Sequence, residues 1–190
     1  MITIIGAGAL GSHVALFLRN LKGKIRVIDF DRVDAHNVQA QFHTVQGLRK
    51  NKALALSQSM KGMFGAEVES IPHRLTQDNW SKLLMDATLL IDCTDNIAAR
   101  RLIQEYYDEY GVPVLHGCLS ADGQFARIVW DEMFVPDPEG NDGQATCEDG
   151  EALPFFAMAS ALIAVEVQNF LKTGKKRSFQ LTGSGTLRIG

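Results

Sequence analysis

Along the first two thirds of the chain, short apolar runs alternate with longer amphipathic stretches. The runs MITIIG (1–6), KIRVIDF (24–30), AEVESI (66–71), ATLLIDC (87–93) and VPVLHG (112–117) have the length and β-branched content of buried strands. Between them, LGSHVALFLRNL (10–21), RKNKALALSQSMKGMF (49–64), QDNWSKLLM (77–85) and IAARRLIQEYYDEY (97–110) have the length and amphipathic pattern of helices. This alternation predicts βαβ units and therefore an α/β, Rossmann-like, doubly wound and mostly parallel sheet with helices on both faces.

After Gly117 the pattern changes. GQFARIVW (123–130) reads as another strand and SFQLTGSGTLRIG (178–190) as a β-hairpin, so additional antiparallel strands are predicted at the C-terminal end. ALPFFAMASALIAVEVQNFL (152–171) is a helix apolar on nearly all sides, expected to be buried in the core or at a dimer interface. Residues 136–151 are polar and patternless, and loops of that length in compact domains are usually functional or disordered. We expect one domain over residues 1–190, with 136–151 as a crossover loop.

Composition narrows the function. The 190 residues, 46% of them hydrophobic, can bury one sizeable core. With 22 acids against 19 bases, a net charge of −3 and no long run of either sign, there is no electrostatic footprint for nucleic acid or an anionic membrane. The N-terminus has no secretory pattern and no apolar stretch of spanning length is free of charge, so a cytoplasmic protein is expected. Cys93, Cys118 and Cys147 are odd in number and never arranged as CxxC, which argues against a disulfide framework and against structural zinc.

Candidate chemistry gathers at the predicted strand ends. GAGALG places Gly6, Gly8 and Gly11 between a strand and a helix, where such a loop approaches a phosphate and the helix N-terminus supplies amide donors. Asp29 closes the second strand, where a carboxylate can accept hydrogen bonds from ribose hydroxyls. The fourth apolar run ends in Asp92, Cys93, Thr94, Asp95 and Asn96. The glycine loop and Asp29 alone fit an NAD-dependent oxidoreductase as well as any other nucleotide user.

Three further segments separate these options. DFDRVDAHNVQAQF (29–42), GLRKNKALAL (47–56) and IDCTDNIAAR (91–100) resemble the signature of the ThiF, MoeB and HesA family, bacterial relatives of ubiquitin-activating enzymes. The matching residues are Asp29, Asp31, Val33, Asp34, Asn37, Gln41, Lys52, Ala53, Asp92, Cys93, Asp95, Asn96 and Arg100, with about one residue deleted before Lys52. The resemblance implies ATP-dependent adenylation of the C-terminal glycine of a ubiquitin-like or sulfur-carrier protein ending in Gly-Gly, by a homodimer to which residues 157–167 contribute.

In that scheme Asp95 holds Mg²⁺, Lys52 reaches the phosphates and Asp29 binds ribose. Gly6, Gly8, Gly11, Asp31, Asn37, Gln41 and Asn96 complete the ATP site, and Asp92 fixes the strand end. Lys50 competes with Lys52 because of the deletion. ATCEDGE (145–151) resembles the family's crossover segment and sets Cys147 where a family cysteine links to the carrier. The residues themselves leave catalytic and merely exposed open.

The chain also departs from the family pattern. Ala40 stands where the family has an arginine that contacts the ATP phosphates. An N-terminal arginine-bearing helix and paired CxxC zinc motifs are not found in the sequence. Either Arg32, Arg49 or Lys50 supplies the charge from nearby, or the protein is a degenerate binding module without turnover.

Overall fold

The computed structural model describes residues 1–120, 122–135 and 152–190. Among these residues, eight strands form one sheet, β1 (Ile2–Ile5), β2 (Ile25–Ile28), β3 (Val68–Ile71), β4 (Leu89–Asp92), β5 (Val114–Leu119), β6 (Phe125–Trp130), β7 (Phe179–Thr182) and β8 (Gly185–Arg188). Their order is β3-β2-β1-β4-β5-β6-β7-β8. The first five strands run parallel, and β6, β7 and β8 add antiparallel pairs, as the sequence pattern predicts.

The helices are α1 (Ala9–Leu18), α2 (Asn37–Ala40), α3 (Lys52–Phe64), α4 (Trp80–Leu84), α5 (Ile97–Tyr110) and α6 (Leu153–Thr173). Alternate strand residues point to opposite faces. Ile4, Val27, Ile91 and Leu115 therefore join α1, α3 and α6 in one core, while Ile5, Ile28, Leu90 and Val114 join α4 and α5 in a second. Helices α3 and α4 start later than predicted, at Lys52 and Trp80, for local reasons. Arg49 takes a left-handed φ of 65°, which keeps residues 49–51 out of α3, and Asn79 accepts from the Thr76 amide in a turn that delays α4.

Strand order fixes where a ligand can enter. From β1 the chain winds to β2 and β3 on one side, then crosses to β4 on the other, so a crevice opens at the carboxyl ends of β1 and β4. Register brings the tips level, with Ile5 beside both Ile28 and Asp92. Gly6, Asp29 and Cys93, each one residue further on, therefore meet at that crevice.

Helix α6 buries one face in the core and leaves the other in solvent. Its inner face is sealed, with Phe156, Ala159, Ile163 and Val167 at most 1% exposed, but Met158, Val165 and Leu171 are each about half exposed. By length and composition α6 is long and apolar enough to cross a bilayer. It packs along α1, where the Ser160 hydroxyl donates to the Leu10 carbonyl at 3.1 Å, and lies on β5 so closely that a Cβ on Gly117 would stand 2.8 Å from Ile163 Cδ1. Its buried Glu166 is paired with the Arg177 guanidinium at 2.7 Å.

Candidate active site

The crevice is a cleft of about 850 Å³. Gly6 and Gly8, Asp29 and Asp31, Asn37 and Gln41, Lys52, and Asp95 and Asn96 all line it. Of the site residues proposed from the sequence, all but Gly11, Asp92, Cys147 and the alternative Lys50 thus border a single cavity. Gly11 sits beneath the loop, where any Cβ would collide with the Gly6 carbonyl oxygen. Cys147 and the loop 136–151 lie outside the described residues.

The glycine loop is shaped by what surrounds it. Gly6 has φ +92° and a Cβ there would stand 2.7 Å from the Cys93 carbonyl oxygen, so only glycine lets β1 and β4 approach at their tips. A Cβ on Gly8, in contrast, would have no described residue within 4 Å, because Gly8 lines the cleft. The Asp29 carboxylate accepts from the Ala7 amide at 2.6 Å and from the Asp31 amide at 2.7 Å, tying loop and strand tip together. Burial pushes its pKa up, and the two amides and Lys52 only partly oppose this. Two of its roughly four acceptor positions remain for a hydroxyl.

Lys52 and Lys50 are distinguished by geometry. Lys52 opens α3, is buried to 9% exposure, lines the cleft and lies 3.5 Å from Asp31 Oδ2. Lys50 is exposed and donates to Gln58 Oε1 at 2.9 Å. Asn51, which the sequence analysis passed over, positions Lys52: its side-chain amide donates to the Asp29 carbonyl at 2.7 Å while its Oδ1 caps the helix at the Leu54 amide. An Asn immediately before an amphipathic run is the signal that was available.

Around the tip of β4 the roles divide. Asp92 is fully buried, accepting from the Thr94 amide and hydroxyl at 2.9 and 2.7 Å and from His116 Nδ1 at 2.8 Å, with Arg100 Nε at 3.6 Å. Burial alone would raise its pKa, but the His116 hydrogen bond, His116 and Arg100 charge and the Thr94 amide hold it below the usual carboxylate range. Asp92 thus fixes the turn rather than meeting a ligand. Asp95, three residues on, is exposed to the cleft, and Asn96 accepts from the Ala99 amide at 3.0 Å as the N-cap of α5. No histidine shows a partner in the sequence, yet His116 pairs with Asp92 across 24 positions and stacks on Phe134 at 3.7 Å. The Cys93 thiol is pushed well up by burial and by Asp92, which makes it a poor nucleophile.

The position of the departed arginine has become core. Ala40 is 0% exposed within the larger apolar cluster. Arg32, Arg49 and Lys50 are not among the residues that line the cleft, and Arg32 donates instead to the Arg49 carbonyl at 2.7 Å. Among the described residues, the Lys and Arg side chains that do line it, besides Lys52, are Arg74, Arg100 and Arg101. Arg74 lies 3.8 Å over the ring of Phe30, and Arg100 Nε donates to the Thr94 carbonyl at 3.1 Å.

ATP with Mg²⁺ is a good chemical fit to these groups. The loop leaves room at Gly8, the cleft holds a buried lysine, and Asp95 offers one exposed carboxylate, the donor type Mg²⁺ takes beside phosphate oxygens. Among the described residues no three His, Cys, Asp or Glu side chains cluster to hold a metal by themselves.

Comparison with known proteins shows the family and the fold. The chain is 30% identical over 176 residues to the adenylyltransferase and sulfurtransferase UBA4 of Candida albicans, which covers 87% of this chain and 40% of that protein. It is 26% identical over 185 residues to the adenylyltransferase and sulfurtransferase MOCS3 of Dictyostelium discoideum, covering 92% and 44%. The chain therefore spans less than half the length of these curated relatives. In fold it superposes on the E. coli MccB structure with ATP (TM-score 0.76, 17% identity, all of this chain and 63% of that one). It also superposes on the E. coli tRNA N6-threonylcarbamoyladenosine dehydratase TcdA (TM-score 0.66, 16% identity, 92% and 87%). The ThiF family profile matches residues 1–184, nearly the whole chain, and the protein belongs to the ThiF family.

Proposed function

We propose that this protein is an ATP-dependent adenylyltransferase acting on the C-terminal glycine of a ubiquitin-like or sulfur-carrier protein. One observation carries this reading: the glycine loop, Asp29, Lys52 and Asp95 border one cleft at the β1/β4 switch point. The carboxylate oxygen of the carrier attacks the α-phosphorus of ATP, the bond to the bridging oxygen breaks, and pyrophosphate leaves with the acyl-adenylate formed. Asp29 holds ribose, the loop amides and Lys52 hold phosphate oxygens, and Asp95 holds Mg²⁺. The metal supplies charge neutralisation on the phosphates.

The charge of the absent arginine is assigned to Arg74 and Arg101, which line the same cleft. The carrier tail enters along Gly117, Leu119 and Ser120, on the β5 side of the switch point, whereas Phe30 follows β2 on the other side. Cys147 as a carrier-linking thiol, a homodimer and a cytoplasmic setting belong to the same proposal. The half-exposed face of α6 bearing Met158 and Val165 supports the dimer.

A second reading, nucleotide binding without turnover, is favoured by the burial of Ala40 alone. ATP–pyrophosphate exchange separates the two. Exchange stimulated by a β-grasp carrier ending in Gly-Gly, and lost when those two residues are deleted, supports the enzyme. ATP binding with no exchange supports the binding module.

A further inference from the structure

We infer that His43 is a positioning residue that fixes the peptide orientation of the phosphate-binding glycine loop. The inference rests on the nucleotide reading of the cleft. His43 is 6% exposed, and its Nε2 lies 2.8 Å from the Ala7 carbonyl oxygen. A carbonyl can only accept, so Nε2 carries the hydrogen and Nδ1 of the neutral ring keeps a bare lone pair. That Nδ1 is buried with no partner among the described residues. An apolar side chain would fill the space without that cost, so the hydrogen bond to Ala7 is what the imidazole contributes. Burial lowers the ring's pKa from 6.5 to about 4, keeping it neutral under ordinary conditions.

Planarity carries the effect into the cleft. In a trans peptide the C=O and the next N–H point in opposite directions. Holding the Ala7 carbonyl toward His43 therefore aims the Gly8 N–H away from His43, at the residue whose Cβ position is open. The Ala7 amide on the other side is already held by Asp29 at 2.6 Å. Ser12 extends the same device: its hydroxyl donates to the Gly8 carbonyl at 2.7 Å and accepts from the Phe42 amide at 2.9 Å. Two successive loop carbonyls are thus held by one short segment, Phe42 and His43, directly after Gln41, which itself lines the cleft. The loop does not have to reorganise its donors when an anion arrives.

The test compares phosphate-bearing and phosphate-free ligands on the full chain. Calorimetry gives the affinity for Mg·ATP, and ligand-observed NMR that for adenosine, in wild type, His43→Leu and His43→Gln. The expected result is that His43→Leu weakens Mg·ATP at least tenfold while adenosine changes less than twofold. His43→Gln, which returns an N–H at similar reach, should restore Mg·ATP to within threefold. If His43→Leu does not fold, His43→Asn, polar but too short for the Ala7 carbonyl, takes its place. Equal loss of both ligands, or no loss of either, overturns the inference. A wild type that binds neither ATP nor adenosine overturns the nucleotide reading instead.

Discussion

At position 40 the structure replaces a charge with packing. The family arginine would have to leave a site that is 0% exposed and surrounded by apolar side chains. Ala40→Arg is therefore expected to bury a guanidinium without a partner and cost ~3 kcal/mol or more. For a chain of this size that lowers Tm by about 10 °C, and a melting curve checks it; an unchanged Tm would mean that the segment swings outward to admit the arginine. Lys52→Ala, in contrast, should leave Tm nearly unchanged and reduce ATP–pyrophosphate exchange by about 10²–10³. Asp95→Ala should abolish metal-dependent ATP binding, and intact affinity for Mg·ATP in that variant would remove Asp95 from the metal role. Legibility at this scale followed locality. Gly6, Asp29 and Lys52 stand in contiguous motifs, whereas the pairs His116–Asp92 and His43–Ala7 join residues 24 and 36 positions apart, a separation that no window of sequence reveals.

Between residue and fold, the segment from α2 to His43 and the helix α6 make separate predictions. His43 is held neutral with a folded pKa of about 4 against 6.5 in the unfolded chain, so between these values the unfolded state binds more protons. Its contribution is therefore fully present above pH 6.5 and is lost as pH falls toward 4, by up to ~3 kcal/mol. His43→Gln should flatten the stability profile in that window, measured by denaturant melts from pH 7 to 4. The lowered pKa of Asp92 acts further down, its stabilisation present above the ordinary carboxylate range and lost in stronger acid.

Helix α6 is half buried against α1 and the sheet, and its outer face keeps Met158 and Val165 in solvent. Met158→Glu with Val165→Glu should shift a dimer to a monomer in sedimentation velocity without loss of secondary structure. A wild type that sediments as a monomer removes this helix from the dimer proposal. The existence of α1, α3, α5 and α6 was legible from periodicity, and the exposed face of α6 was not. An almost wholly apolar helix carries no polar stripe to say which side meets water.

For the molecule as a whole, the alternation of strands and helices predicted the parallel sheet, and the terminal hairpin predicted its antiparallel end. The strand order was set by contacts that alternation does not encode, and it is this order that opens the cleft between β1 and β4. Family membership follows from the match over residues 1–184, while the proposed use of ATP rests on the cleft itself. Calorimetric titration of the purified protein with Mg·ATP, with NAD⁺ run in parallel, tests that claim most directly. The account predicts saturable binding of Mg·ATP, on the order of micromolar, and none of NAD⁺. Binding of NAD⁺ but not ATP, or of neither, would contradict it.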